Sequence, residues 1–112
     1  MTDEPDVPSR LTIERDGATI AIAGELDAHS APALRDELAA SNGPDDIVVD
    51  MSGITFMDSS GLRVLIDAHQ RATGSDSRLV LCAPSSSVRR VLQIAGVLDH
   101  LEVRNSVAPD GQ

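Results

Sequence analysis

Apolar and polar residues alternate from Leu11 through Ile13 and break at Asp16-Gly17, a dipeptide suited to a tight β-hairpin turn. The return strand is predicted over residues 18–23, with Ile20 and Ile22 on one face, and Gly24-Glu25-Leu26-Asp27 ends it. Ser30 then stands where a helix cap is expected: Pro32 falls in the first turn, Asp36 and Glu37 follow early, and Leu34 and Leu38 lie one turn apart. Asn42-Gly43-Pro44 stops that helix. Residues 47–51 form a nearly continuous apolar run, the pattern of a strand buried on both faces. A second helix is predicted over residues 60–72, with Leu62, Leu65, Ile66 and His69 on one stripe and Thr73-Gly74-Ser75 as its end. Residues 79–82 make another strand, and Pro84-Ser85-Ser86-Ser87 leads into a third helix. Its stripe is Val88, Val91, Leu92 and Ala95, with Arg89, Arg90 and Gln93 facing water and Gly96 terminating it. Residues 101–103 make a short last strand.

After the opening hairpin the order is β-α-β-α-β-α-β. Strands that alternate with helices across short loops pair in parallel through right-handed crossovers. The expected fold is a single α/β domain, with a mainly parallel twisted sheet, an antiparallel N-terminal strand and interspersed helices. A chain of 112 residues suits one such core. The domain is expected over residues 9–106, with residues 1–8 and 107–112 as flexible ends. In open α/β sheets, sites collect outside the carboxyl ends of the strands. Asp27-Ala28-His29-Ser30 and Met57-Asp58-Ser59-Ser60 both follow strands. If those strands are neighbours, Asp27, Asp58 and Ser59 share one surface patch.

Composition removes several functions. The formal charge of −9 argues against non-specific nucleic-acid binding and against an anionic membrane surface. Phe56 is the only aromatic residue, which leaves little means of stacking bases or flat cofactors. The nine basic residues are all arginine, so lysine-based catalysis is excluded. Cys82 is single and lies in an apolar run, the setting of an inert buried thiol. The acidic N-terminus lacks the apolar core of a signal peptide, and no apolar run approaches membrane-spanning length. A soluble cytoplasmic protein is expected.

Asp58-Ser59-Ser60-Gly61 sits at a predicted helix N-terminus, where amides lacking helical partners favour a negative group. Ser59 can be read there as a nucleophile, a helix cap or a switch. The nucleophile reading is weak, because Met57 occupies the first glycine position of a G-x-S-x-G elbow and only His29 stands near enough in sequence logic to serve Ser59. His69 falls on an apolar stripe and reads as core edge. Asp27, Asp50, Asp58 and Ser59 offer oxygens suited to Mg²⁺, but a P-loop needs a lysine, and Asp58 serves equally as a plain helix cap. No metal or cofactor is expected, nor enzymatic activity. The residues themselves reach a switchable or partner-binding patch: a phosphate on Ser59 adds about −1.5 to −2 charges beside Asp58.

Phe56-Met57-Asp58-Ser59-Ser60-Gly61-Leu62 resembles the phosphorylation motif of the STAS domain in bacterial anti-sigma-factor antagonists. Gly24-Glu25-Leu26-Asp27 resembles that family's other signature, Asp50-Met51-Ser52-Gly53 its strand end before the motif, and Cys82-Ala83-Pro84 with the helix after it its last third. The resemblance spans residues 11–103. It implies an antagonist that binds an anti-sigma factor with serine-kinase activity while unphosphorylated, and so frees a sigma factor. The kinase would then switch it off at Ser59, and a PP2C-type phosphatase would reverse this. The same resemblance places Asp27 on the adjoining binding surface, and the shared strand edge extends the expected partner-binding surface to Asp27, Ala28, His29, Ser30, Met57, Asp58, Ser60, Gly61 and Arg63, on a monomer or weak dimer. Arg63 departs from the small residue common at its position, and Ala95 from the hydroxyl residue often seen before the glycine. The alternative is a non-switching STAS scaffold subunit of a lipid-transport or transporter assembly.

Overall fold

The computed structural model describes residues 10–40 and 46–105. The expected flexible ends, and the helix stop at Asn42-Gly43-Pro44, lie outside them. Five strands form one sheet in the order β1-β2-β3-β4-β5, where β1 is Leu11–Asp16, β2 Thr19–Leu26, β3 Ile47–Met57, β4 Leu79–Cys82 and β5 Glu102–Arg104. The β1–β2 pair is antiparallel, turning at Gly17 with φ 63°, and the remaining pairs are parallel. Helices α1 (Ala31–Ala39), α2 (Ser59–Gly74) and α3 (Ser86–Ile94) alternate with the parallel strands. The α/β fold with an antiparallel entry strand is the one the hydrophobic pattern predicts.

One core joins sheet and helices. Ile20, Ile22, Val49, Met51, Leu79 and Leu81 pack with Leu34 and Leu38 of α1, Leu65 and Ala68 of α2, and Val88 and Leu92 of α3. Helices α1 and α2 touch each other, and α3 packs against β3. A salt bridge from Arg15 Nε to Glu37 Oε2, 2.6 Å long, ties β1 to α1. No described helix is long and apolar enough to cross a membrane.

Several features differ from the sequence expectation. First, β2 continues through Gly24 to Leu26, because Gly24 takes φ 106° and lets the strand bend instead of ending. Second, β3 does not stop at Met51; it runs on to Met57, with register shifts against β2 between Ala21 and Ala23 and between Gly24 and Glu25. Each shift is a bulge that resets which face a side chain meets. Third, Ile47 and Val48 are only half-buried, so β3 is central but not sealed on both faces; every residue of β4 is buried instead. Fourth, Ala95 is the exposed C-cap of α3 and not part of its buried stripe, and Ile94 beside it is 76% exposed. Gly96, with φ 75°, ends that helix as expected. The last strand falls at Glu102–Arg104, one residue later than read.

Cys82 is buried, as its apolar run implied, and burial pushes its thiol pKa up, with Arg104 opposing and Asp50 assisting. That keeps the thiol protonated and inert. His69 is half-buried on α2, at the core edge where its stripe put it.

Candidate functional site

The site is built where β2 and β3 end side by side. Leu26 and Met57 are register partners, and the Asp58 amide donates to the Leu26 carbonyl oxygen at 3.1 Å. The residues that follow, Asp27 and Asp58, therefore stand on the same sheet edge. Asp27, Asp58 and Ser59 form one patch, as the strand order required.

Both aspartates are caps. Asp58 has extended backbone, and its Oδ1 accepts from the amides of Ser60 at 2.9 Å and Gly61 at 3.3 Å. The amide of Leu62 donates to the Asp58 carbonyl at 3.1 Å, which closes the first helical turn. Asp58 thus already holds two of the amides at the N-terminus of α2, those of Ser60 and Gly61. Ser59 lies first in the helix, exposed, and its hydroxyl makes no hydrogen bond to another described residue, His29 included. Its hydroxyl is free for modification, and no described histidine is placed to activate it. The described residues hold no cluster fit for a metal ion.

Asp27 does for the β2–α1 turn what Ser30 was expected to do. Its Oδ1 accepts from the amides of His29 and Ser30, both at 3.0 Å, and Ala31 donates to its carbonyl at 2.7 Å. Ser30 has helical backbone and makes no side-chain cap. Its buried hydroxyl instead donates to the Glu25 carbonyl oxygen at 2.8 Å and accepts from the Asp27 amide at 3.0 Å. Ser30 is therefore an internal staple of the loop. The Ser30 amide leads the effects that hold Asp27 below its ordinary pKa of 3.8; partial burial opposes it, and the Ser30 hydroxyl, the His29 amide and the His29 charge assist. A lowered carboxylate stabilises the fold above its unfolded pKa, and the gain is lost as pH falls through the folded value. In a carbonyl-carbon NMR titration, the Asp27 midpoint should lie below 3.8 and rise in Ser30→Ala. A midpoint at or above 3.8 in the parent would contradict this cap.

The other expected contact residues divide by depth. Ala28, His29 and Arg63 are exposed, and Ser60 is half-exposed. Met57 is 3% exposed and Gly61 is buried, so both lie beneath the surface and support it. Gly61 lets α2 cross directly over Leu26: a Cβ there would stand 2.5 Å from Leu26 Cγ and 3.0 Å from the Leu26 carbonyl oxygen. Gly61→Ala should push the helix start away from β2, costing about 2 kcal/mol by overpacking and moving Ser59 with it. Chemical denaturation checks the cost, and amide shifts at Asp58 to Leu62 check the displacement.

Three apolar residues beside the site were read from sequence only as motif or core-stripe positions. Phe56 is 47% exposed at the end of β3. Leu62 and Ile66 line a shallow groove of about 380 Å³ with Ser59, Ser60 and Arg63. Arg63 itself pairs with Asp67 at 3.6 Å along the helix.

An Asp-capped helix start carrying an exposed serine, beside a second Asp-capped strand end, defines the class. Residues 9–109 match the STAS domain, and the chain belongs to the STAS-domain family of anti-sigma-factor antagonists. It is 33% identical over 94 residues to the anti-sigma-B factor antagonist of Listeria monocytogenes, covering 82% of each chain. The fold is similar to that of an anti-sigma factor antagonist from Mycobacterium paratuberculosis, with a TM-score of 0.75 at 22% identity over 92% of each chain. It is also similar to the anti-sigma factor antagonist SpoIIAA. The unphosphorylated form gives a TM-score of 0.66 at 24% identity over 89% of each chain. The phosphorylated form, from Bacillus, gives 0.62 at 23% identity over 89% of this chain and 92% of that one.

Proposed function

We propose that this protein is a cytoplasmic anti-sigma-factor antagonist that binds its anti-sigma factor while Ser59 is free and releases it when Ser59 is phosphorylated. The observation that carries the reading is the exposed, unbonded Ser59 at the start of a helix whose capping amides are already occupied by Asp58. A phosphate there finds the Ser60 and Gly61 amides already taken by Asp58 and alters no buried contact. It stays on the surface as charge, beside Asp58 and near Asp27. A partner surface fitted to the free hydroxyl then meets repulsion and desolvation cost. The similarity to a protein solved in both unphosphorylated and phosphorylated forms supports a fold that tolerates the change.

In this reading the anti-sigma factor is the serine kinase, a PP2C-type phosphatase restores the free form, and this chain contributes no catalysis of its own. The contact surface comprises Asp27, Ala28, His29, Asp58, Ser59, Ser60 and Arg63, with Phe56 and Ile66 as its apolar part. Ser30, Met57 and Gly61 hold that surface from below. Hydrogen exchange with the anti-sigma factor added tests the face. Protection is expected across residues 27–30 and 58–63; protection confined to residues 89–93, on the exposed side of α3, would place the interface elsewhere.

A further inference from the structure

We infer that Arg63 is the internal partner of a phosphate on Ser59, exchanging its ion pair with Asp67 for one with the phosphate one turn nearer the helix start. The inference rests on the Ser59 switch proposed above and adds how the modified state is held. Ser59, Arg63 and Asp67 follow one another at intervals of four on α2, so they share one face of the helix. Side chains so spaced have Cβ atoms about 5–6 Å apart. Ser59 and Arg63 also line the same groove.

Arg63 is placed to move. Its side chain is 78% exposed, and it meets Asp67 through Nε at 3.6 Å, a long contact to a carboxylate that is itself 48% exposed. Such a pair is weak and exchanges at little cost. Asp58 holds the amides of Ser60 and Gly61, so the Ser59 amide is the backbone donor left to the phosphate, and Arg63 is the cation one turn away on the same face. Of the other titratable groups in this patch, Asp58 and Asp27 repel the phosphate, and His29 lies in the β2–α1 turn beside Asp27. A guanidinium matches phosphate through two parallel hydrogen bonds, and an anion four residues before a cation is the favourable order on a helix. Phosphorylation then changes two surface features together: it adds an anion at Ser59 and withdraws the Arg63 guanidinium from whatever binds the groove.

The test places phosphoserine at residue 59 by genetic encoding, so it needs no kinase. If no kinase modifies Ser59, the proposed switch fails while this measurement still stands. The phosphate is titrated by ³¹P NMR at low ionic strength in the parent and in Arg63→Gln, whose exposed site leaves the fold intact. The parent midpoint should lie lower by about 0.3 pH. Asp67→Asn, which releases Arg63, should lower the midpoint further. Equal midpoints in the parent and Arg63→Gln would overturn the inference, as would a midpoint unmoved by Asp67→Asn.

Discussion

Ser59→Asp should bind the anti-sigma factor on the order of a hundredfold more weakly than the parent, a difference of about 2.7 kcal/mol. Ser59→Ala should bind as tightly as the parent and resist release by ATP. The asymmetry follows from where the side chain sits. Ser59 is exposed and its hydroxyl makes no hydrogen bond to another described residue, so alanine removes the phosphate acceptor and little else. Aspartate puts a fixed charge into a patch that already holds Asp27 and Asp58, whose carboxylates are oriented by amides and cannot turn away. Two neighbouring substitutions separate charge from structure. Ser60→Ala should leave the fold nearly unchanged, because Asp58 and not the Ser60 hydroxyl caps the helix. Asp58→Asn keeps a good cap and removes one charge, so it should leave the fold intact. Calorimetric titration of each variant with the anti-sigma factor reads the series. Equal affinity for Ser59→Asp and the parent would mean that charge at this position is not what the partner senses.

Gly24→Ala should be the most damaging single substitution to the fold. Its φ of 106° belongs to a region that residues with a Cβ rarely enter, at a cost of about 1–3 kcal/mol. An added Cβ would also fall 1.8 Å from the carbonyl oxygen of Arg10, a backbone atom with no room to yield. That oxygen accepts from the Glu25 amide at 3.0 Å, so the substitution also disturbs the bond that ties the start of β1 to the bend in β2. The loss should exceed about 3 kcal/mol, lowering the melting temperature by roughly 10 °C or more. Gly17→Ala is the comparison. Its φ of 63° is also positive, but nothing lies within 4 Å of the added Cβ, so only conformational strain remains. Thermal and urea unfolding of the two variants should rank them clearly, and equal losses would contradict the role assigned to Arg10.

The two substitutions also show what the sequence displayed and what it concealed. Apolar spacing revealed the order of elements, the antiparallel hairpin at Asp16-Gly17 and the helix start at Asp58, because each depends on residues close in sequence. The juxtaposition of Asp27 with Asp58 was legible too, since parallel neighbours must end on one edge. What could not be read depends on contacts between strands. Simple alternation from the buried Ile54 would bury Phe56 and expose Met57; the bulge opposite Gly24 and Glu25 reverses them. That is why the exposed aromatic beside the site was missed. The β2–α1 turn misled for a different reason. Asp27 and Ser30 are both good capping residues, and which one caps is decided by the burial of the Ser30 hydroxyl against the Glu25 carbonyl. Likewise, Gly61 reads as a helix-start residue until Leu26 is seen beneath it.

The central claim is that Ser59 alone carries the regulatory phosphate. Phosphopeptide mapping after incubation with the cognate anti-sigma kinase and ATP tests it most directly. A single phosphate on Ser59, and none in Ser59→Ala, is the expected result. Phosphate on Ser60 or Thr55, or no phosphate at all, would contradict it.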